Sequence, residues 1–200
     1  MLSRISPYWL WGLLALFPAS WLYQAVSSTD ERILHVLVHP TGEWAARLLI
    51  LTLMMTPLAM IFKGKAVSRW LKKSRRHFGV AAFVYAAMHT VFYLADKASL
   101  DRVMEELPRL YIWTGWLAFA IFIPLAATSM DWAVRKMGPG WKSLQRWTYL
   151  AAVLTLIHWA SLHDWGNPTG AVVHFAPLIG LETWRVWQWW NRNRDRPAPA

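Results

Sequence analysis

The sequence predicts an all-α polytopic membrane protein, a six-transmembrane-helix bundle with both termini cytoplasmic. Three observations carry this. The 200-residue chain is 56% hydrophobic and only 16% charged, against roughly 25% charged in soluble domains. Its charges are segregated, which leaves apolar runs long enough to cross a bilayer. Its Lys and Arg residues gather on alternate connections.

The expected spans are 8–26, 44–62, 77–95, 110–129, 146–163 and 171–190. They are apolar nearly all round, so periodicity does not define their buried faces. The first span has the length of a signal segment, but its n-region holds only Arg4 and no small-x-small cleavage site follows, so it is read as retained. Residues 1–190 are expected to form a single transmembrane domain, and 191–200, ending RDRPAPA, a disordered cytoplasmic tail. The polar connections are too short for a separate soluble catalytic domain, and no internal repeat of a known period is evident.

Orientation follows from the cations. The connection 63–76 carries Lys63, Lys65, Arg69, Lys72, Lys73, Arg75 and Arg76. With Arg4, Arg135, Lys136, Lys142, Arg146, Arg192, Arg194 and Arg196, these place 15 on one side, against Arg32, Lys97, Arg102 and Arg109 on the other. The cation-rich side is cytoplasmic. This distribution also explains the net charge of +10 without nucleic acid. There is no cysteine, so disulfides, iron–sulfur ligation and covalent c-type haem are excluded. Of the 16 tryptophans, Trp9, Trp44, Trp113, Trp141, Trp147, Trp165 and Trp184 fall at span ends, where an interfacial belt puts them.

His89 and His158 are the leading site candidates. Each lies 12 residues past the charged start of its span, counted from His77 and Arg146. Both spans start on the cytoplasmic side, so both imidazoles reach about 18 Å into a ~30 Å core, in the outer half. Two level imidazoles on separate helices suit a haem clamped between axial ligands, a six-coordinate, low-spin iron that carries electrons. The competing reading is a helix–helix hydrogen bond, for His89 to Thr90 or Tyr85. The other histidines lie near water: His35 and His39 in the outer loop before span two, His163 and His174 near the outer ends of spans five and six, and His77 at the inner end of span three. A zinc site from His35, His39 and His163 lacks tight ligand spacing. Arg47, one turn inside span two, has two open readings, snorkelling or contact with haem propionates. Glu182 and Arg185 read as a self-satisfying i,i+3 pair. Arg75 and Arg76 read as membrane anchoring or as a docking point for a phosphate or an acidic donor.

Four stretches, TGEWAARLLILTLMMTPLA, RRHFGVAAFVYAAMHTVFYL, LYIWTGWLAFAIFIPLAATS and GPGWKSLQRWTYLAAVLTLIHW, resemble the MsrQ (YedZ) family. That family belongs to the ferric reductase-like transmembrane superfamily. The resemblance runs from about 41 to 159 and holds in order, spacing and loop length. It implies a non-covalent b-type haem with His89 and His158 as axial iron ligands, in a multi-pass protein of the bacterial inner membrane. It implies electrons from the quinone pool, with quinol as donor, or from a cytosolic flavin reductase. These pass to a periplasmic molybdopterin-containing subunit that reduces methionine sulfoxide in proteins, so substrate reduction falls to the partner. A flavin (FMN) near the cytoplasmic face, with Arg75 and Arg76 at its phosphate, is a further implication.

One position departs from the family. Some members carry a further His where this chain has Gln145, so one haem rather than two is expected. His77 is near the depth of a second, inner haem, but lies 12 residues and about 120° of helix rotation from His89. Two alternatives stay open: a cytochrome-b subunit of another oxidoreductase, and a haem-free six-span scaffold or transporter. Against the transporter, spans one to five hold no midplane carboxylate.

Overall fold

The computed structural model describes residues 9–162 and 164–194. Among these residues there are nine helices and no strand. They are α1 (Trp9–Ser27), α2 (Ile33–Ile61), α3 (Ala66–Lys97), α4 (Leu100–Glu106), α5 (Leu110–Ala127), α6 (Asp131–Met137), α7 (Pro139–Gln145), α8 (Trp147–Ala160) and α9 (Thr169–Arg194). Helices α2, α3 and α5 are long and apolar enough to cross a membrane by length and composition. Helix α1 takes up most of the first expected span and α9 all of the sixth, whereas α8, 14 residues long, takes up only 147–160 of the expected 146–163. Arg4, His163, Arg196 and the end of the RDRPAPA tail lie outside the described residues.

Several boundaries differ from the expected ones. Helix α2 begins at Ile33, not 44, so His35 and His39 stand on a helix rather than in a loop. Helix α3 begins at Ala66, so most of the cation-rich connection is the first turns of that helix. Polar segments after α3 and α5 fold into the short helices α4, α6 and α7, and α9 runs through Arg194, beyond residue 190. The cause is physical. At α3 and α9 hydropathy marks only the apolar part of the helix, whereas Lys and Arg are good helix formers that carry it on. The added turns of α2, ILHVLVHPTGE, hold no Lys or Arg, and there it is the helix's passage through Pro40 and Gly42 that the sequence hid. After α3 the chain turns at Ala98, which adopts φ 54 as a left-handed cap, and Ser99 Oγ then accepts from the Asp101 N–H to start α4.

The core is built from two close helix pairs, α2 with α3 and α5 with α8. Leu48, Leu49 and Leu53 of α2 meet Ala81, Ala82 and Tyr85 of α3, and Ala151 and Ala152 of α8 join the same buried cluster. Alanine at these crossings lets the backbones approach, which is how helices gain packing where lipid offers no hydrophobic drive. Tyr85 is fully buried, and its hydroxyl donates to the Leu14 carbonyl at 2.9 Å, tying α3 to α1. The ends of both pairs that lie nearest α4 bracket the site.

Candidate haem-binding site

His89 projects from α3 and His158 from α8, with ring centroids 6.1 Å apart and ring planes at 83°. Each ring is held by a backbone carbonyl from the partner helix of its pair. His89 Nδ1 donates to the Val38 carbonyl of α2 at 2.9 Å, and His158 Nδ1 donates to the Tyr111 carbonyl of α5. A carbonyl only accepts, so Nδ1 carries the hydrogen in each ring and Nε2 keeps its lone pair. This is the arrangement of a metal-ligating histidine, in which the outer nitrogen fixes tautomer and orientation. His89 does make a helix–helix hydrogen bond, but to the Val38 carbonyl of α2 and not to Thr90 or Tyr85, whose hydroxyls donate to Ala86 and Leu14.

The two holders are built alike. Val38 is four residues before Gly42, and Tyr111 four before Gly115; the ring edges rest against those glycines. Thr41 and Thr114 precede them, both fully buried, and their hydroxyls donate back to carbonyls one turn earlier, Leu37 and Leu110. Both brackets carry a Thr–Gly dipeptide, but Thr169–Gly170 carries it too, so the dipeptide alone does not single them out in the sequence.

Between the rings lies a cavity of about 350 Å³, lined by Val38, Gly42, His89, Gly115, Phe119 and His158 among others, and reaching His39, Asp96, Lys97 and Glu106 at its outer end. A haem fits this donor set. With metal–nitrogen bonds of ~2.0 Å, two axial imidazoles put their ring centroids about 6.3 Å apart, against the 6.1 Å observed. The outer end is latched by Glu106, whose carboxylate accepts from Lys97 Nζ at 2.7 Å and from the Tyr93 hydroxyl at 2.9 Å. Beside it, His35 Nδ1 pairs with Asp96 at 3.1 Å.

Burial pushes the Glu106 carboxyl up, but the hydrogen bonds from Lys97 and Tyr93 outweigh it and hold the group below its ordinary value. A depressed carboxyl stabilises the fold above its unfolded pKa, and that contribution is lost as pH falls through the folded pKa. Glu106→Gln should therefore lower Tm at pH 7, by at most roughly 2 °C for a partly solvated group. The gap between variant and unmodified protein should close as pH drops below about 4. Paired thermal melts in detergent check this.

Arg47 does not line the cavity. Its Nη2 meets Glu43 at 2.6 Å, its Nε donates to His174 Nε2 at 3.3 Å, and it sits over the Trp44 ring. His174 in turn donates from Nδ1 to the Gly170 carbonyl at 2.7 Å and packs on Trp159. These contacts fasten α2 to α9. The half-buried His174 is also more than the solvated residue its position suggested. Nothing in the sequence links residues 47 and 174.

At the opposite end of the bundle from α4, Arg76 pairs with Asp131 at 2.5 Å, joining α3 to α6, and this guanidinium holds the Asp131 carboxyl below its usual range. Glu182 and Arg185 form the expected pair at 2.6 Å, and Arg185 adds a bond to the Tyr149 hydroxyl at 2.9 Å. Arg75 lies within electrostatic reach of Glu182. His77 packs on Trp11 at 5.3 Å, remote from the histidine pair. Gln145 Nε2 donates to the Leu125 carbonyl in the last turn of α5 at 3.2 Å, and Trp141 Nε1 to the carbonyl of its cap residue Thr128 at 2.9 Å.

The family model "Ferric reductase like transmembrane component" matches residues 41–156, which takes in Gly42, His89 and Gly115. The heme-binding subunit MsrQ of protein-methionine-sulfoxide reductase from Polaromonas naphthalenivorans is 32% identical over 92% of this chain and 85% of its own length. The proteins of the same name from Brucella ovis and Brucella canis are each 32% identical, over 95% of this chain and 86% of theirs. The chain belongs to the MsrQ family. Alignment with these MsrQ proteins over most of the chain means that the paired brackets, and not only the apolar helices, fall inside the shared region.

Proposed function

We propose that this chain is the haem-carrying membrane subunit of a methionine sulfoxide reductase system. One b-type haem is held between His89 and His158. The observation that carries this reading is the pair of imidazoles, each with Nδ1 tied to a carbonyl and Nε2 free, at a ring separation of 6.1 Å. When bound, the haem supplies one-electron transfer. The chain's own residues orient the two ligands, keep water from the inner part of the site and set its depth.

In this reading the chain crosses the inner membrane six times with both termini in the cytoplasm, and the site lies in the outer half. Electrons come from quinol or a cytosolic flavin reductase and leave toward a periplasmic molybdopterin-containing subunit that reduces methionine sulfoxide. FMN docking at Arg75 and Arg76 is the less supported part, because both side chains face acidic groups of this chain, Glu182 and Asp131. One haem per chain is favoured over two, since Gln145 is engaged in closing the end of α5.

Dithionite-reduced protein mixed with a molybdopterin methionine sulfoxide reductase should stay reduced until a methionine sulfoxide is added. Its haem band should then return to the oxidised position. A band that stays reduced in the presence of active partner and substrate would instead favour service to a different oxidoreductase.

A further inference from the structure

The geometry points to Gly42 and Gly115 as positioning residues that hold the two axial imidazole planes crosswise. This rests on the haem reading above and goes beyond it, because it assigns the angle between the ligands and the residues that set it.

Each ring has two restraints. The hydrogen bond from Nδ1 lies in the ring plane and points that plane at one carbonyl, Val38 for His89 and Tyr111 for His158. The Nδ1–Cε1 edge then lies directly against a glycine one turn further along the same helix. A Cβ added at Gly42 would stand 2.7 Å from His89 Nδ1 and 2.8 Å from its Cε1. At Gly115 the same distances to His158 are 2.7 and 2.9 Å. Those separations are well inside carbon–nitrogen contact, so any side chain there must swing the ring out of its carbonyl bond or part the helices. Gly180, also within a helix, has nothing within 4 Å of its added Cβ and is the natural control.

The two brackets belong to different helix pairs, and their planes meet at 83°. That angle has an electronic consequence. An imidazole donates π density into the iron d orbital that lies perpendicular to its ring. Parallel rings raise one orbital of the pair, and crossed rings raise both about equally. Oxidised low-spin iron between crossed rings therefore keeps large orbital angular momentum along the haem normal. Its EPR spectrum is a single dominant low-field feature, whereas parallel rings give three separated features.

The test is EPR on the oxidised, haem-loaded full chain in detergent, unmodified and as Gly42→Ala, Gly115→Ala and Gly180→Ala. The unmodified protein and Gly180→Ala should give the single low-field feature. Gly42→Ala and Gly115→Ala should move toward the three-feature spectrum, or hold haem at least ~10-fold more weakly where the ring is pushed off the iron. The two alanine variants probe independent brackets, and the unmodified spectrum reports the crossing angle without any variant. A three-feature low-spin spectrum from the unmodified protein would overturn the inference while leaving the haem reading intact. Alanine variants that keep both the low-field feature and full haem would remove the glycines from the positioning role. Absence of low-spin haem in the unmodified protein would overturn both readings.

Discussion

His89→Ala and His158→Ala are each expected to abolish the low-spin haem spectrum. The two rings share one cavity at 6.1 Å; His35 and His39 also line it, but the Nδ1 of His35 is taken by Asp96 and neither ring stacks on the pair. Removing one ring leaves iron with a single axial nitrogen, so the haem becomes five-coordinate or escapes. The loss should exceed the ~10–100-fold that second-shell changes cost. The check is the Soret and α bands of purified variants, with carbon monoxide as a probe for an opened sixth position. Full low-spin haem in both single variants would show that the ligands lie elsewhere.

The second large effect concerns direction. Reporter fusions after residue 72 should read cytoplasmic and those after residue 102 periplasmic, because the basic start of α3 and the acidic region around α4 belong on opposite faces. Lys72 and Lys73 sit among the cations that open α3, whereas Asp101, Glu105 and Glu106 belong to α4. These reporters respond nearly all-or-none. The reverse pattern would turn the cavity mouth toward the cytoplasm and with it the direction of electron flow.

What the sequence made legible follows from which physical signal each feature leaves. Apolar runs marked where α1, α2, α3, α5, α8 and α9 lie, and of these α2, α3 and α5 are long and apolar enough to cross a membrane. The same signal missed the first turns of α2 and α3, where helix continues through polar residues such as His35, Arg69 and Lys72. The closeness of His89 and His158 followed from equal counts along two helices. Their holders did not, because every residue has a carbonyl, and nothing in the letters Val38 or Tyr111 says that this one accepts from an imidazole. Thr41–Gly42 and Thr114–Gly115 were no more than a partial clue, since Thr169–Gly170 repeats the dipeptide and a Cβ added at Gly170 would meet nothing nearer than 4.0 Å. The partners of Arg47 were hidden for the opposite reason. Its depth suggested a charge facing a ligand, but its partners Glu43 and His174 come from one turn earlier and from α9, and only packing brings the latter in. Gln145 was read by what it lacks as a ligand; its engagement with Leu125 and Thr128 is a tertiary fact.

The central claim is one haem clamped by two imidazoles, and the most direct measurement is a reduced-minus-oxidised absorbance spectrum of the purified chain with pyridine haemochrome quantified against protein. The account predicts a low-spin b-type spectrum with about one haem per chain, as expected for two axial nitrogens and no cysteine. A colourless protein, or a five-coordinate spectrum, would contradict the clamp, and a reproducible ratio near two would contradict the single site.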